Sequence, residues 1–406
     1  KEDMAASDKV RIQYASKYDM SSNYWKNTIG MIRGIDRLKV KSRKESAENA
    51  FQLWAIRNSS SEEEYNLALG MIFQAVEQNK PLLGPLQYLE EAMLNAVEII
   101  TPAYTAYEIL GQKMKEAEAR EELKEFYAGF YKDYNEPTDR KVAKKMIRMV
   151  RWNVKDLPEV LSSVIDTEFG GDIDAYVDYL YDNSVFVSEQ RALSATPEQI
   201  EYDPAFILAS SVIDKMNEWN RKSMDNRVEK MFGQYLYIRG LMERQPERAW
   251  YPDANFTIRL TYGRVLPYRL ETGGVSDWYT TLDGVMAKED TTSTEFIVPR
   301  RLKELYEAKD YGRYANEKGE LPVAFLSDCD ITGGNSGSPM MNGRGELIGL
   351  AFDGNWESMS CNVAFEPEVQ RAIGVDVRYV LFVIDKFAGA DWLLDEMTIV
   401  KDGVRI

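Results

Sequence analysis

Histidine is absent from all 406 residues, and imidazole is the usual general base near neutral pH and the commonest metal ligand. No Ser-His-Asp or Cys-His triad can be completed within this chain. Cysteine is nearly absent as well: Cys329 and Cys361 are too few for a four-thiolate zinc or iron–sulfur site, and no cofactor or metal is expected. Long apolar runs are missing. Val380-Leu381-Phe382-Val383-Ile384 falls far short of the roughly 18 to 20 residues of a membrane span. Positive charge is in deficit, with 50 Lys plus Arg against 66 Asp plus Glu and a net charge of −16, a balance that repels phosphate backbones and argues against a nucleic-acid partner. The first residues, Lys1-Glu2-Asp3, include neither an initiator Met nor a charged-then-apolar leader, and the expectation is a processed or truncated piece of something longer.

Glycine is unevenly spread, with 10 before residue 251 and 16 after it, a shift in turn chemistry that puts a boundary near Pro252. Before it, apolar residues recur at helical spacing: Ala47, Ala50, Phe51 and Trp54, then Leu69, Ile72, Phe73 and Val76, then Leu86, Leu89, Met93 and Val97. Ser60 with Glu63 fits a capping box, and Thr196-Pro197-Glu198-Gln199 combines an N-cap, a proline at N1 and a glutamine at N3. Residues 1–250 are expected to be an all-helical domain. The Arg140, Lys141, Lys144, Lys145, Arg148 and Arg151 series reads as a solvated helix face.

After Pro252 the period changes to two, with Phe256, Ile258, Leu260 and Tyr262 alternating with Thr257, Arg259 and Thr261, which predicts a strand. Asn342-Gly343 between two apolar runs predicts a hairpin. Val375 to Ile384 reads as a core strand and Phe387 to Met397 as a closing helix. Residues 251–406 are therefore expected to be mainly β, giving an α+β multidomain chain.

The stretch that carries chemistry is Thr332-Gly333-Gly334-Asn335-Ser336-Gly337-Ser338-Pro339. Its glycines let the backbone turn so that the Gly334 and Ser336 amides aim at one spot beside the Ser336 hydroxyl, an oxyanion hole next to a nucleophile. A strand before this loop, a hairpin after it, a further strand and a final helix follow the order of the second barrel of chymotrypsin-like serine proteases. With Gly345-Glu346-Leu347-Ile348-Gly349-Leu350-Ala351-Phe352-Asp353-Gly354-Asn355-Trp356-Glu357, Asp376-Val377-Arg378-Tyr379-Val380 and Val383-Ile384-Asp385-Lys386, the loop resembles the bacterial periplasmic serine dipeptidyl peptidases. Those enzymes carry a chymotrypsin-type double barrel interrupted by a large helical domain.

The resemblance implies that residues 1–250 are the helical cap and residues 251–406 the second, antiparallel barrel with a C-terminal helix. The first barrel, with the His and Asp of the triad, would be missing, and the chain alone inactive. It implies Ser336 as nucleophile, the Gly334 and Ser336 amides as oxyanion hole, and Asp353, with Asn23 more loosely, as clamps for the ammonium group of a peptide with a free N-terminus. Phe352 and Gly354 would border the substrate. Acid-specific relatives place an arginine at the position of Gly354, so its absence favours a hydrophobic residue before the scissile bond. Cys329 and Cys361 flank the pocket as a disulfide does in several chymotrypsin-like enzymes, with two free thiols as the alternative. A homodimer and a periplasmic or cell-surface location are implied as well. Two other readings of the same loop are a glutamyl-type endopeptidase and a non-catalytic peptide-binding protein.

Overall fold

In the computed structural model the chain is described except at residues 58–61, 112–115, 253–254, 271, 294, 402 and 406; the Ser60–Glu63 capping box lies outside the described residues. The chain divides into two compact units, Lys1–Ser22 with Ser46–Trp250, and Asn23–Glu45 with Tyr251–Ile406. This partition differs from a single cut at residue 250 in one respect: residues 23–45, helical as their sequence predicts, belong with the unit that carries the sheet, and that unit holds more helix than strand rather than being mainly β.

Among the described residues, the regular elements of the first unit are all helices. Its longer members include the first part of α1 (Asp8–Arg37), the part of α2 (Val40–Arg57) from Ser46 on, α3 (Glu62–Tyr88), α4 (Ile100–Gly111), α5 (Glu136–Asn153), α6 (Ile173–Asn183) and α7 (Met224–Arg244). Local chemistry sets several starts. Asn135 accepts the Thr138 amide at the head of α5, and Asp172 accepts the amides of Asp174 and Ala175 at the head of α6. The Thr196 capping box forms with both bonds in place. The main core gathers Met93, Ile100, Tyr127, Ile147, Leu180 and Trp219, and Phe51, Tyr65 and Leu236 join α2, α3 and α7 in a smaller one. The basic series on α5 is not merely solvated. Arg140 pairs with Glu136, Asp178 and Asp182, Lys144 with Asp178, Arg148 with Asp174 and Arg151 with Asp166, so most of these cations are matched by acids on or beside α6.

The second unit is built on an antiparallel sheet of β1 (Tyr279–Thr281), β2 (Pro322–Ser327), β3 (Pro339–Met341), β4 (Leu347–Gly354) and β5 (Ala372–Asp376), in the order β1-β2-β5-β4-β3. The sheet is open, with β1 and β3 as its edges. The closed barrel of chymotrypsin type expected from the sequence is not formed by the described residues. Leu282, Leu302, Leu305, Leu321, Tyr314 and Phe382 make the core beside it.

Three local expectations are corrected. The period-two run Phe256 to Tyr262 is irregular chain with all four large side chains at least 83% exposed; a strand needs a neighbour to bond, and among the described residues none pairs there. Val375 to Ile384 is a strand only as far as Asp376, whose carboxylate accepts the Arg378 amide at 2.9 Å. That cap starts α8 (Val377–Phe382), which runs on as a π turn over Val383–Phe387. The helix expected over Phe387 to Met397 is a 3-10 turn, Asp391–Glu396. The Asn342-Gly343 hairpin is present, but its loop spans residues 342–346, and the positive φ falls on Gly345 at +78°. Among the described residues no helix is long and apolar enough to cross a membrane.

Candidate active site

Ser336 sits on a turn laced to the edge of β4. The Gly337 amide donates to the Ala351 carbonyl at 2.7 Å, and the Ala351 amide returns a bond to the Ser338 carbonyl at 2.9 Å. Asn335 closes the other side: its carboxamide oxygen accepts the Thr332 amide at 3.1 Å and its own amide donates to the Thr332 carbonyl at 3.2 Å. Gly334 at φ +98° and Gly337 at φ +81° supply the two left-handed residues that the turn requires, and a Cβ on either would meet open space, so conformation rather than crowding selects glycine there. Within the chain no acceptor meets the exposed amides of Gly334 and Ser336 among the described residues. The Ser336 hydroxyl is exposed and reaches the Phe352 carbonyl at 3.5 Å.

The register of β4 against β5 slips between Ala351 and Asp353, leaving Phe352 unpaired. Such a bulge puts two successive side chains where one would stand. Phe352 and Asp353 are accordingly both exposed, between Ala351, which is buried, and Gly354, which is half-buried. Among the described residues the Asp353 carboxylate accepts only the Gly354 amide, at 2.7 Å, so a second oxygen and the net charge are open to solvent. Ser336, Phe352 and Asp353 are thus brought to one place, and Gly354 follows at the end of the strand.

Asn23 lies on α1, exposed and in mid-helix rather than at a cap, and it makes no hydrogen bond with Asp353. It belongs to the same compact unit as Ser336. Asn23, Asn27, Gly30, Gly34 and Arg37 share one helix face, and the last four meet the 3-10 turn Trp356–Ser360 that follows β4. The Asn27 amide lies 3.5 Å from the Met359 sulfur, and Arg37 donates to the Glu357 carbonyl at 3.3 Å. A Cβ at Gly30 would stand 2.5 Å from Met359 Cγ, and one at Gly34 2.3 Å from Ser360 Oγ, so the helix approaches at a distance only glycine permits. The Gly30-x-x-x-Gly34 spacing was the available signal for this contact, and sequence reasoning passed it over.

A second feature has no local sequence signature. Arg371 is buried, and its guanidinium donates five bonds to the carbonyls of Pro267, Pro367, Glu368 and Gln370. Its own amide donates to the Asn355 side chain, and its carbonyl accepts the Asn355 amide, both at 2.9 Å, which ties the corner after Gly354 to β5.

Cys329 and Cys361 are both free thiols, so the flanking disulfide does not form in this structure. Cys361 donates to the Ile331 carbonyl at 3.6 Å, and burial, with the nearby Asp330 charge, pushes its thiol pKa up, which makes it a poor nucleophile. Burial likewise raises Asp330. Among the described residues no cluster of Cys, Asp or Glu is arranged to hold a metal.

The chain is similar over almost its whole length to several known proteins. Dipeptidyl-peptidase 7 of Phocaeicola vulgatus is 45% identical over 412 residues, covering 99% of this chain and 57% of the relative. The Asp/Glu-specific dipeptidyl-peptidase of Porphyromonas gingivalis is 38% identical over 410 residues, covering 98% of this chain and 56% of the relative. The crystal structure of Porphyromonas endodontalis DPP11 in complex with the dipeptide Arg-Glu superposes with a TM-score of 0.87 at 32% identity, over 97% of this chain and 58% of that one. The chain therefore spans somewhat more than half the length of the relatives it matches. The family description Peptidase S46 fits residues 1–399, and on that match, together with the fold it shares with DPP11, the chain belongs to the Peptidase S46 family.

Proposed function

We propose that this chain is the nucleophile-bearing part of a bacterial serine dipeptidyl peptidase that releases dipeptides from oligopeptides with a free N-terminus. The observation that carries the reading is the bulge at Phe352, which sets the open carboxylate of Asp353 one residue from the carbonyl that holds the Ser336 hydroxyl. In this reading Ser336 Oγ attacks the carbonyl of the second peptide bond, the Gly334 and Ser336 amides hold the oxyanion, and the amine leaves with the proton taken from Ser336. Water then hydrolyses the acyl-enzyme and frees the dipeptide. Asp353 pairs with the substrate ammonium, which sets the two-residue spacing, and Asn23 adds a carboxamide to the same clamp.

With no histidine in the sequence, the general base comes from outside these 406 residues. The barrel of the resemblance that carries the His and Asp is the proposed source, and with it a homodimer in the periplasm or at the cell surface. The residue before the scissile bond is hydrophobic in this reading. Gly354 offers no cation, and Arg371, beside its register partner Ala372, has its N–H groups committed to backbone carbonyls. The Asp/Glu-specific relatives and the DPP11 complex with Arg-Glu favour the second reading, an acidic residue at that place.

Dipeptide release is measured on the protein expressed from the complete reading frame and on residues 1–406, with free and N-acetylated substrates carrying Leu, Phe, Asp or Glu before the scissile bond. Release from free-amine Leu or Phe substrates, lost in S336A and weakened about tenfold or more in D353N, is the expected outcome. Equal cleavage of acetylated substrates would falsify the exopeptidase assignment, and preference for Asp or Glu would favour the second reading. Activity of residues 1–406 alone would refute an external base.

A further inference from the structure

Glycine at position 354 is not required by its backbone, which has no positive φ. Space is the constraint. A Cβ built on Gly354 would lie 2.2 Å from Ser358 Oγ and 3.3 Å from Ser358 Cβ. Ser358 is held there because its hydroxyl donates to the Asn355 carbonyl at 2.7 Å, and its 3-10 turn is backed on the far side by α1. Met359 and Ser360 press against Gly30 and Gly34, and the Arg33 guanidinium lies 5.7 Å from the centre of the Trp356 ring. The turn is pinned between the helix and the end of β4, so room at residue 354 comes from swinging the Ser358 hydroxyl off the Asn355 carbonyl rather than from moving the turn.

We propose that Ser358 is a specificity-determining residue: its side chain fills the volume that a side chain on residue 354 would take, and thereby sets the depth of the pocket for the residue before the scissile bond. The proposal rests on the reading of Gly354 as a wall of that pocket. Asp353 and Phe352 border the same place from the bulge, and the strand rise of about 3.3 Å per residue puts Gly354 within reach of a side chain whose carbonyl sits at Ser336. The floor so formed is a neutral hydroxyl already bonded to a carbonyl, which suits an uncharged side chain of middling size. Removing it deepens the pocket toward aromatic residues.

The test is calorimetric binding of the free dipeptides Ala-Leu and Ala-Trp to the wild-type protein, S358G, S358A, G354A and the G354A/S358G double variant, all expressed from the complete reading frame. S358G is expected to shift the ratio of the two affinities toward Ala-Trp by about threefold or more. G354A weakens both dipeptides, and adding S358G to it restores them to within about twofold, the non-additivity expected of two groups competing for one space. S358A keeps Cβ and should give a smaller shift of the same sign, and it carries the test if S358G does not fold. An unchanged ratio in folded S358G and S358A, or additive effects in the double variant, overturns the proposal. Absence of dipeptide binding to the wild-type protein overturns it together with the function proposed above. Binding shifts without dipeptide release from longer peptides overturn only that function.

Discussion

Asp139 has no exposed surface, and its two carboxylate oxygens accept the amides of Glu98 at 2.8 Å and Ile99 at 3.0 Å, so a side chain of α5 caps the entry to α4. Burial raises its pKa from 3.8 to about 7, against the opposing pull of those amide bonds. The sign follows from linkage. Between its unfolded and folded values the native state binds the proton that the unfolded chain has lost, so the stabilisation is complete below about pH 4 and is lost as pH rises through about 7. Burial raises Asp203, the cap of the Pro204–Lys222 helix, in the same direction. The urea midpoint is therefore expected to fall between about pH 5 and about pH 8, less steeply in D139N. D139N is itself expected to be less stable at pH 5 by about 1–2 kcal/mol, since an amide accepts from only one of the two N–H groups. Equal slopes for the two proteins would show that Asp139 is not the titrating group. Residue-scale features were legible in the sequence where the partners are neighbours, as in Thr196 with Gln199 or the Gly334–Gly337 turn. Asp139 was not, because the amides it caps lie some forty residues away.

At the scale of elements, α1 shows how one helix serves two units: Asp8–Ser22 belongs with the helical unit and Asn23–Arg37 with the sheet. Its seat on the Trp356–Ser360 turn depends on Gly30 and Gly34, and the two are unequal. Gly30 faces the flexible side chain of Met359, whereas Gly34 faces Ser360, which is buried at 1% exposure and has both Oγ and Cβ within 2.5 Å of the added carbon. In an exposed helix, glycine to alanine stabilises by about 1 kcal/mol. Here G34A is expected to lower the free energy of unfolding by about 1–3 kcal/mol in spite of that gain, and G30A by clearly less. Urea denaturation ranks them, and a G34A protein as stable as the wild type would mean that the helix is not seated where the geometry puts it. The expected strands that do not form at this scale have related causes. Apolar, β-branched and aromatic runs such as Phe256 to Tyr262 and Val375 to Ile384 suit a strand only if a neighbour supplies hydrogen bonds. The chain met a cap at Asp376 in one case and no partner strand among the described residues in the other.

For the molecule as a whole, a net charge of −16 creates a field that gathers cations, and the ammonium end of the proposed substrate is one. Raising salt from about 50 mM to about 500 mM should increase KM for free-amine peptides by roughly threefold or more, with kcat nearly unchanged, because screening weakens capture rather than chemistry. Steady-state kinetics against an uncharged N-terminal analogue provides the control, and a KM indifferent to salt would exclude long-range capture. Much at this scale came from composition and order alone. The helical first part, the Ser336 turn and its hairpin are governed by contacts between residues near one another in sequence, and periodicity and glycine placement report such contacts directly, whereas the second part, expected to be mainly β, holds at least as much helix as strand around a sheet that pairs distant segments. What only the tertiary structure decided is everything that depends on residues distant in sequence. That includes the transfer of residues 23–45 to the sheet unit, the bulge that exposes Phe352 and Asp353 together, the free state of Cys329 and Cys361, and the filling of position 354 by Ser358. Each turns on which surfaces meet and how closely, and a one-dimensional pattern does not carry that information.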